Sequence, residues 1–235
     1  MKLLAIETAT AACAIAVELD GRLACEVVAS TERHHTEALV PTIAAELASL
    51  GLAVGQLDGI VVDVGPGLFT GLRVGLATAR SLAMAAGVDL YCVSSLALLA
   101  NDSSLDPDRP VVAVVDARRG EVFAQRFGSA TPSRPVLTEP MVLGPAALAE
   151  LLATIESPLV IVGDGAARYA DELAGRHAHE LRVDLVLPSP AVAVGLVSSM
   201  VAGLEPVEPS TALPLYLRDP DAVANFHVAA QARSR

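Results

Sequence analysis

The sequence predicts an α/β protein of two lobes, each built on a mixed sheet flanked by helices, and three observations carry that prediction. Short β-branched or alanine-rich runs alternate with segments of helical apolar periodicity along most of the 235 residues. A strand that ends in a carboxylate and is followed by a returning strand occurs twice, over 3–19 and again over 111–127. The composition is 53% hydrophobic with only 3% aromatic, so burial must come from Ala, Val and Leu, which suits layered helices and strands. The length fits either one large α/β domain or two compact lobes.

The first half reads βββαβαβα. Strands are expected over 3–8 and 12–19, and Asp20-Gly21 supplies the positive-φ turn into a third strand near 22–29. From Thr31 the period changes: Leu39, Ile43, Leu47 and Leu50 fall on one helical face, Gly51 ends it, and Pro41 is expected to kink or restart the helix. A strand over 59–64 runs into a glycine-rich loop, followed by a helix over 71–86, a strand over 90–93 and a helix near 94–101. The turn chemistry of 102–110 then marks a lobe boundary.

The second half starts as the first did. A strand over 111–116 ends in Asp116, Arg118-Arg119-Gly120 turns, and a strand returns over 121–127. Gly144-Pro145 opens a helix to 154; a strand over 159–163 and helices over 165–175 and 190–203 follow. The expected organisation is an N-terminal lobe over 1–101, a C-terminal lobe over 102–218 that is a reduced copy of it, and a flexible tail over 219–235.

Several function classes are disfavoured. Arg73, Arg80, Asp89 and Asp102 interrupt the most apolar stretch before it reaches the roughly 18 residues a bilayer span needs, so no membrane association is expected. The start, with Glu7 inside its first strand, has no secretory pattern, and a cytoplasmic location is expected. Cys13, Cys25 and Cys92 stand singly in apolar runs, as small core residues rather than zinc ligands. A net charge of −11 opposes direct binding of a phosphate backbone, so any RNA is expected to be held mainly by partner chains.

The loop Gly65-Pro66-Gly67-Leu68-Phe69-Thr70-Gly71 invites a phosphate-cradle reading, because glycine-rich amides at a helix N-terminus attract anions. The details resist it: a P-loop needs Lys after its last glycine, where Leu72 stands, and a dinucleotide loop needs a small residue where Thr70 stands. Structurally, Pro66 fixes one φ, the glycines permit a tight exit from the strand, and Thr70 is a good helix N-cap.

Along the following helix Gly71, Gly75, Ala79 and Ala83 recur every four residues, a ridge that admits another helix closely, with Leu72, Leu76 and Leu82 beside it. Arg73 and Arg80 are its only charges, so it is expected to be covered on more than one side. One reading is a central core helix. The other, preferred here, is a docking face made by Leu39, Ile43, Leu47, Leu72, Gly75, Leu76, Ala79 and Ala83.

No metal site is expected. His34 and His35 lack a partner one helical turn on, since positions 38 and 39 are Ala and Leu, and His177-Ala178-His179-Glu180 reads as a solvated, charged loop. Glu7 and Asp116 end equivalent first strands, where an ATPase would place carboxylates for magnesium and water. They are candidates for a relic or shared nucleotide site, although Asp116-Ala117-Arg118-Arg119 lacks a Gly-Thr phosphate hairpin. An ATP-dependent kinase or ATPase is therefore the alternative function.

The doubled strand–acidic turn–strand pattern matches the architecture of actin, sugar kinases and heat-shock chaperone ATPases, the actin-like ATPase (ribonuclease H-like) fold. In detail the chain resembles the TsaB (YeaZ) family. The resemblance rests on Leu4-Ala5-Ile6-Glu7-Thr8-Ala9-Thr10, His35-Thr36-Glu37-Ala38-Leu39-Val40-Pro41, Gly65-Pro66-Gly67-Leu68-Phe69-Thr70-Gly71-Leu72-Arg73, Ser94-Ser95-Leu96-Ala97, Asp116-Ala117-Arg118-Arg119-Gly120-Glu121-Val122 and Pro214-Leu215-Tyr216-Leu217-Arg218.

The resemblance implies a non-catalytic scaffold subunit in threonylcarbamoyladenosine modification of tRNA. It would pair through first-lobe helices with a homologous catalytic subunit, TsaD, or with itself, and a small ATPase, TsaE, would join. A separate enzyme supplies threonylcarbamoyl-adenylate, and the catalytic subunit transfers the group to an adenosine beside the anticodon. The resemblance implies no cofactor of the chain's own, and leaves room for ATP or ADP shared at the complex interface. The catalytic relative's metal-binding His-x-x-x-His helix corresponds here to His35 and Leu39.

Overall fold

The computed structural model describes residues 1–30, 35–130, 134–174, 179–199 and 203–218. The expected tail over 219–235, His34 and His177 lie outside the described residues.

The first lobe opens with β1 (Lys2–Glu7), β2 (Cys13–Leu19) and β3 (Arg22–Ser30), then α1 (His35–Ser49), β4 (Gly59–Asp63), α2 (Phe69–Ala86), β5 (Asp89–Val93) and α3 (Ser95–Ala100). The second has β6 (Val111–Arg118), β7 (Glu121–Phe127), β8 (Met141–Leu143), α4 (Pro145–Ala153), β9 (Val160–Val162), α5 (Asp164–Arg168), α6 (Ala170–Leu173), β10 (Glu180–Arg182) and α7 (Pro190–Ser198). Both sheets have five strands, ordered β3-β2-β1-β4-β5 and β8-β7-β6-β9-β10. In each, the first three strands form an antiparallel meander and the last two run parallel to the first. This repeated order is that of the actin-like ATPase fold.

Two edge strands escaped the sequence. The strands Met141–Leu143 and Glu180–Arg182 are three residues each, too short for a period-2 pattern to register. The second occupies part of the segment expected to be a charged loop. Helix α1 continues through Pro41, whose ring is exposed, rather than restarting there. Helix α2 begins at Phe69 with Leu68 at its N-cap and no side-chain cap bond, so Thr70 lies inside the first turn and is not the cap.

The eight residues expected to dock a partner face the other way. Leu39, Ile43, Leu47, Leu76, Ala79 and Ala83 pack with Leu4, Ile6, Ile15, Ile60 and Val62 in the core between the two helices and the first sheet. Leu72 and Gly75 are buried as well. The ridge of small residues exists because α2 lies close on its own sheet: a Cβ at Gly75 would stand 2.1 Å from Thr8 Oγ1, whose hydroxyl donates to the Gly71 carbonyl at 2.9 Å. Each buried leucine contributes about 1.5–3 kcal/mol through apolar area removed from water.

The closing helices cross between lobes. Leu96 and Leu99 of α3 pack with Val111, Val115 and Phe127 of the second sheet. Conversely Ala193, Val194 and Val197 of α7 cover the far face of the first sheet against Leu3, Ala5 and Val61. After α7 a strap runs back over the first lobe, with Val207 bridged to Leu90 and Leu215 N–H bonded to the Val64 carbonyl at 2.8 Å. Arg80 ties it down through the carbonyls of Ser210 at 2.9 Å and Ala212 at 3.4 Å. None of the described helices is long and apolar enough to cross a membrane.

Candidate functional site

The ends of β1, β4 and β6 meet the glycine-rich loop where the lobes face each other. Gly65 N–H and the Ser95 hydroxyl donate to Asp63 Oδ1 at 2.7 and 2.8 Å, and Ser95 N–H donates to the Gly65 carbonyl at 2.9 Å. The Gly65–Pro66 peptide is cis. One step further, Leu68 N–H donates to the Ala9 carbonyl at 2.6 Å. An amide that a phosphate cradle would aim at an anion is thus spent on a backbone carbonyl, and that oxygen fills the place the anion would take.

The clasp leaves no room for a side chain at Gly67, where a Cβ would sit 2.1 Å from Ala9 O and 2.8 Å from Ala9 C. Both are backbone atoms that cannot rotate aside. Gly67→Ala is therefore expected to lower the unfolding free energy by about 2–3 kcal/mol, read as a lower midpoint in urea with little change in slope.

Glu7 does not meet Asp116; it meets Asp63. Strand register pairs Ile6 with Val62, which sets the two carboxylates side by side at adjoining strand ends. Both are about 1% exposed. Thr10 donates to Glu7 Oε1 at 3.2 Å, while Glu7 Oε2 and Asp63 Oδ2 have no hydrogen-bond partner. Burial, and then the charge of Asp63, hold Glu7 well above the usual carboxylate range. Burial pushes Asp63 up to about 7 against the bonds from Gly65 and Ser95. The Cys13 thiol rises to about 11, by burial and then by the neighbouring Glu7. The signal for Asp63 was in the sequence: one carboxylate inside Gly59-Ile60-Val61-Val62-Asp63-Val64.

Asp116 belongs to a different neighbourhood. Its carboxylate is gripped by Arg118 at 2.9 Å and Arg168 at 3.3 Å, and its N–H donates to Asp164 Oδ1 at 2.9 Å. Burial raises the Asp164 carboxyl. Across from it Arg73 lies 3.6 Å over the Phe69 ring and donates to the Tyr216 hydroxyl at 2.9 Å; the Phe69 and Tyr216 centroids are 5.4 Å apart. A cavity of about 320 Å³ separates the two groups, lined on one side by Gly67, Leu68, Phe69 and Leu72 and on the other by Asp116, Arg118, Arg119 and Arg218. Of the expected loop residues, Gly65, Pro66, Thr70 and Gly71 do not line it.

These residues do not fit a magnesium–nucleotide clamp. Glu7 lies outside the cavity wall, Asp116 is neutralised by two guanidinium groups, and the loop amide is already bonded. Among the described residues no cluster of three or more metal-ligating side chains occurs. His179 Nε2 lies 3.1 Å from the Leu152 carbonyl, a structural contact within the second lobe.

Residues 25–157, more than half of the chain, match the family model of TsaD, tRNA N6-adenosine threonylcarbamoyltransferase. The span takes in α1, the glycine-rich loop, α2 and the β6–β7 hairpin. The tRNA threonylcarbamoyladenosine biosynthesis protein TsaB of Escherichia coli is 29% identical over 230 residues, covering 93% of this chain and 95% of its own. A protein of Mycobacterium tuberculosis is 33% identical over 221 residues, with 93% and 92% covered. The structure of YeaZ from Pseudomonas aeruginosa superposes with a TM-score of 0.80 at 29% identity, covering 92% of this chain and 99% of that one. The chain belongs to the threonylcarbamoyltransferase family, in its TsaB (YeaZ) branch. A TsaB homologue from Haemophilus influenzae is 36% identical over 124 residues, covering 52% of each chain.

Within the matched span, position 39 holds a leucine with 0% exposure that packs against the first sheet. At that position the side chain is committed to the core.

Proposed function

We propose that this chain is the accessory, non-catalytic subunit of a tRNA adenosine threonylcarbamoyltransferase complex, which acts on the adenosine beside the anticodon. It docks on the homologous transferase, TsaD, in the cytoplasm. The observation that carries this reading is the outer face of the paired helices α1 and α2. Val40 is 53% and Met84 61% exposed there, beside exposed Ala44, Ala45, Ala48, Ala77 and Ala85. Helices that show small apolar residues to solvent are suited to close approach by a second helix pair, and kinship with the transferase supports that enzyme as the source of one.

The docking residues are thus displaced by one helical face from those first expected. Leu39, Ile43, Leu47, Leu72, Gly75, Leu76, Ala79 and Ala83 support the helices from beneath, and the solvent side makes the contact. The same face would serve a self-dimer, in competition with the transferase, and TsaE would join the assembled pair. The kinase or ATPase alternative gains nothing from the cleft, whose loop amide is bonded to Ala9 and whose Asp116 is paired with arginines.

Mixing the purified chain with the transferase and following both by size-exclusion chromatography tests the reading. Co-elution as one species, with loss of any self-dimer, is expected. Two independent peaks at micromolar concentrations would remove the docking assignment.

A further inference from the structure

The chain carries a net charge of −11, yet five of its sixteen cationic residues converge around one cavity. Arg118, Arg119 and Arg218 line it, Arg73 stands on its aromatic wall, and Arg168 reaches Asp116 on its floor. Among the described residues, Asp116, Asp164 and Glu121 stand near these guanidinium groups, the last bonded to Arg218 at 2.7 Å. The aromatics are as concentrated. Phe69, Phe123 and Tyr216 line the cavity, in a chain with four Phe, three Tyr and no Trp. Phe69 and Tyr216 remain 41% and 40% exposed.

The turn that presents the arginines is strained. Arg118 and Arg119 have φ of 63° and 57°, a left-handed conformation that bulky side chains disfavour, and Gly120 follows at 78°. Glycine or asparagine would satisfy the turn without that cost. Consecutive arginines there hold two guanidinium groups at the mouth of the cleft, and the buried Asp116 orients the first of them at 2.9 Å.

Guanidinium groups are suited to phosphate, and flat rings with a stacked arginine to an unstacked base. A volume of about 320 Å³ has room for one nucleotide-sized group. We propose that this cavity binds one nucleotide of a single-stranded RNA, with its phosphate on Arg118 and Arg119 and its base against Phe69 and Tyr216. The assignment rests on the reading of the chain as a subunit of a tRNA-modifying complex, and deepens it. Phe69 and Arg73 begin α2, so a strand held here would run beside the docked transferase. The negative charge of the rest of the chain keeps the affinity modest and confines the contact to this spot.

Fluorescence anisotropy of a labelled single-stranded ribonucleotide decamer, titrated with the full-length chain at low salt, tests the site. Arg118→Gly with Arg119→Gly relieves the turn while removing both phosphate contacts. The double variant is expected to weaken binding by about tenfold or more and to remain folded, because Arg168 still pairs with the buried Asp116. Arg182→Gln, at an exposed ion pair of the second lobe, should stay within about twofold of the parent, as befits a site that is local. Equal binding by the parent and the double variant would overturn the proposal, as would binding of adenosine monophosphate with none of the decamer. Co-elution of the double variant with the transferase is measured in parallel and is expected to persist. Its persistence alongside unchanged decamer binding would sink the RNA site alone and leave the docking reading standing.

Discussion

Replacing Ala79 by glutamate is expected to unfold the chain, whereas the same replacement at Ala77 leaves the fold intact and abolishes partner binding. Ala79 is 0% exposed and touches the apolar core shared with Leu4, Ile6 and Ile15. A carboxylate there has neither room nor a counter-charge, and burying it costs more than about 4 kcal/mol, a large part of the stability of a domain this size. Ala77, two residues earlier, points to solvent on the other side of α2. Glutamate is a good helix former, so on an exposed face the change costs within about 0.5 kcal/mol. At a docked helix interface, however, it must be desolvated unpaired. Circular dichroism melting separates the first variant from the parent, and co-elution with the transferase separates the second. If A79E folded normally and lost only its partner, the inward placement of the ridge would be wrong.

Asp63→Asn should stabilise the chain at alkaline pH and flatten its dependence on pH. An Asp held at about 7 in the folded chain, against an ordinary 3.8, binds more protons folded than unfolded between those values. Its contribution is therefore favourable at low pH, and stability falls as pH rises from about 4 through about 7, by up to about 1.4 kcal/mol per unit for one proton, and then levels. Glu7, raised in the same direction, extends the loss upward. Asparagine can still accept from Gly65 N–H and the Ser95 hydroxyl through its oxygen, and it removes the charge that Asp63 sets beside Glu7. Urea unfolding should show D63N more stable than the parent by about 2 kcal/mol at pH 8, with the gap closing towards pH 5. A variant less stable than the parent at both pH values would mean that the two carboxylates are not a destabilising pair.

The strands and helices that position this site were readable because they are long and periodic. Leu39, Ile43 and Leu47 announced the buried face of α1, and the two acid-ended strands announced the first strand of each sheet. What the ridge of Gly71, Gly75, Ala79 and Ala83 touches was not readable. A four-residue spacing of small side chains records a close approach on one side of a helix, and gives no direction for it. The structure supplies that direction through Thr8, which no local pattern links to Gly75. Asp63 was visible as a carboxylate in an apolar strand, but its pairing with Glu7 depends on which strand lies beside β1. The strap from 203 to 218 is a further case. Its contacts with Leu90, Val64 and Arg80 span more than a hundred residues of sequence, and only assembly of both lobes brings them together.

Arg118 and Arg119 illustrate the opposite situation. A turn was expected at Arg118-Arg119-Gly120, and one is there. That both arginines take a left-handed backbone is an exception to ordinary turn chemistry, and local preference gives no warning of it. Such exceptions gather where function outweighs stability.

The accessory role is tested most directly by formation of threonylcarbamoyladenosine in unmodified tRNA by the transferase, TsaE and threonylcarbamoyl-adenylate, with and without this chain, quantified by mass spectrometry of the digested nucleosides. Modified adenosine should accumulate only when the chain is present, and A77E should fail to restore it. Equal accumulation without the chain would contradict its accessory role, and full restoration by A77E would contradict docking through the outer face of α1 and α2.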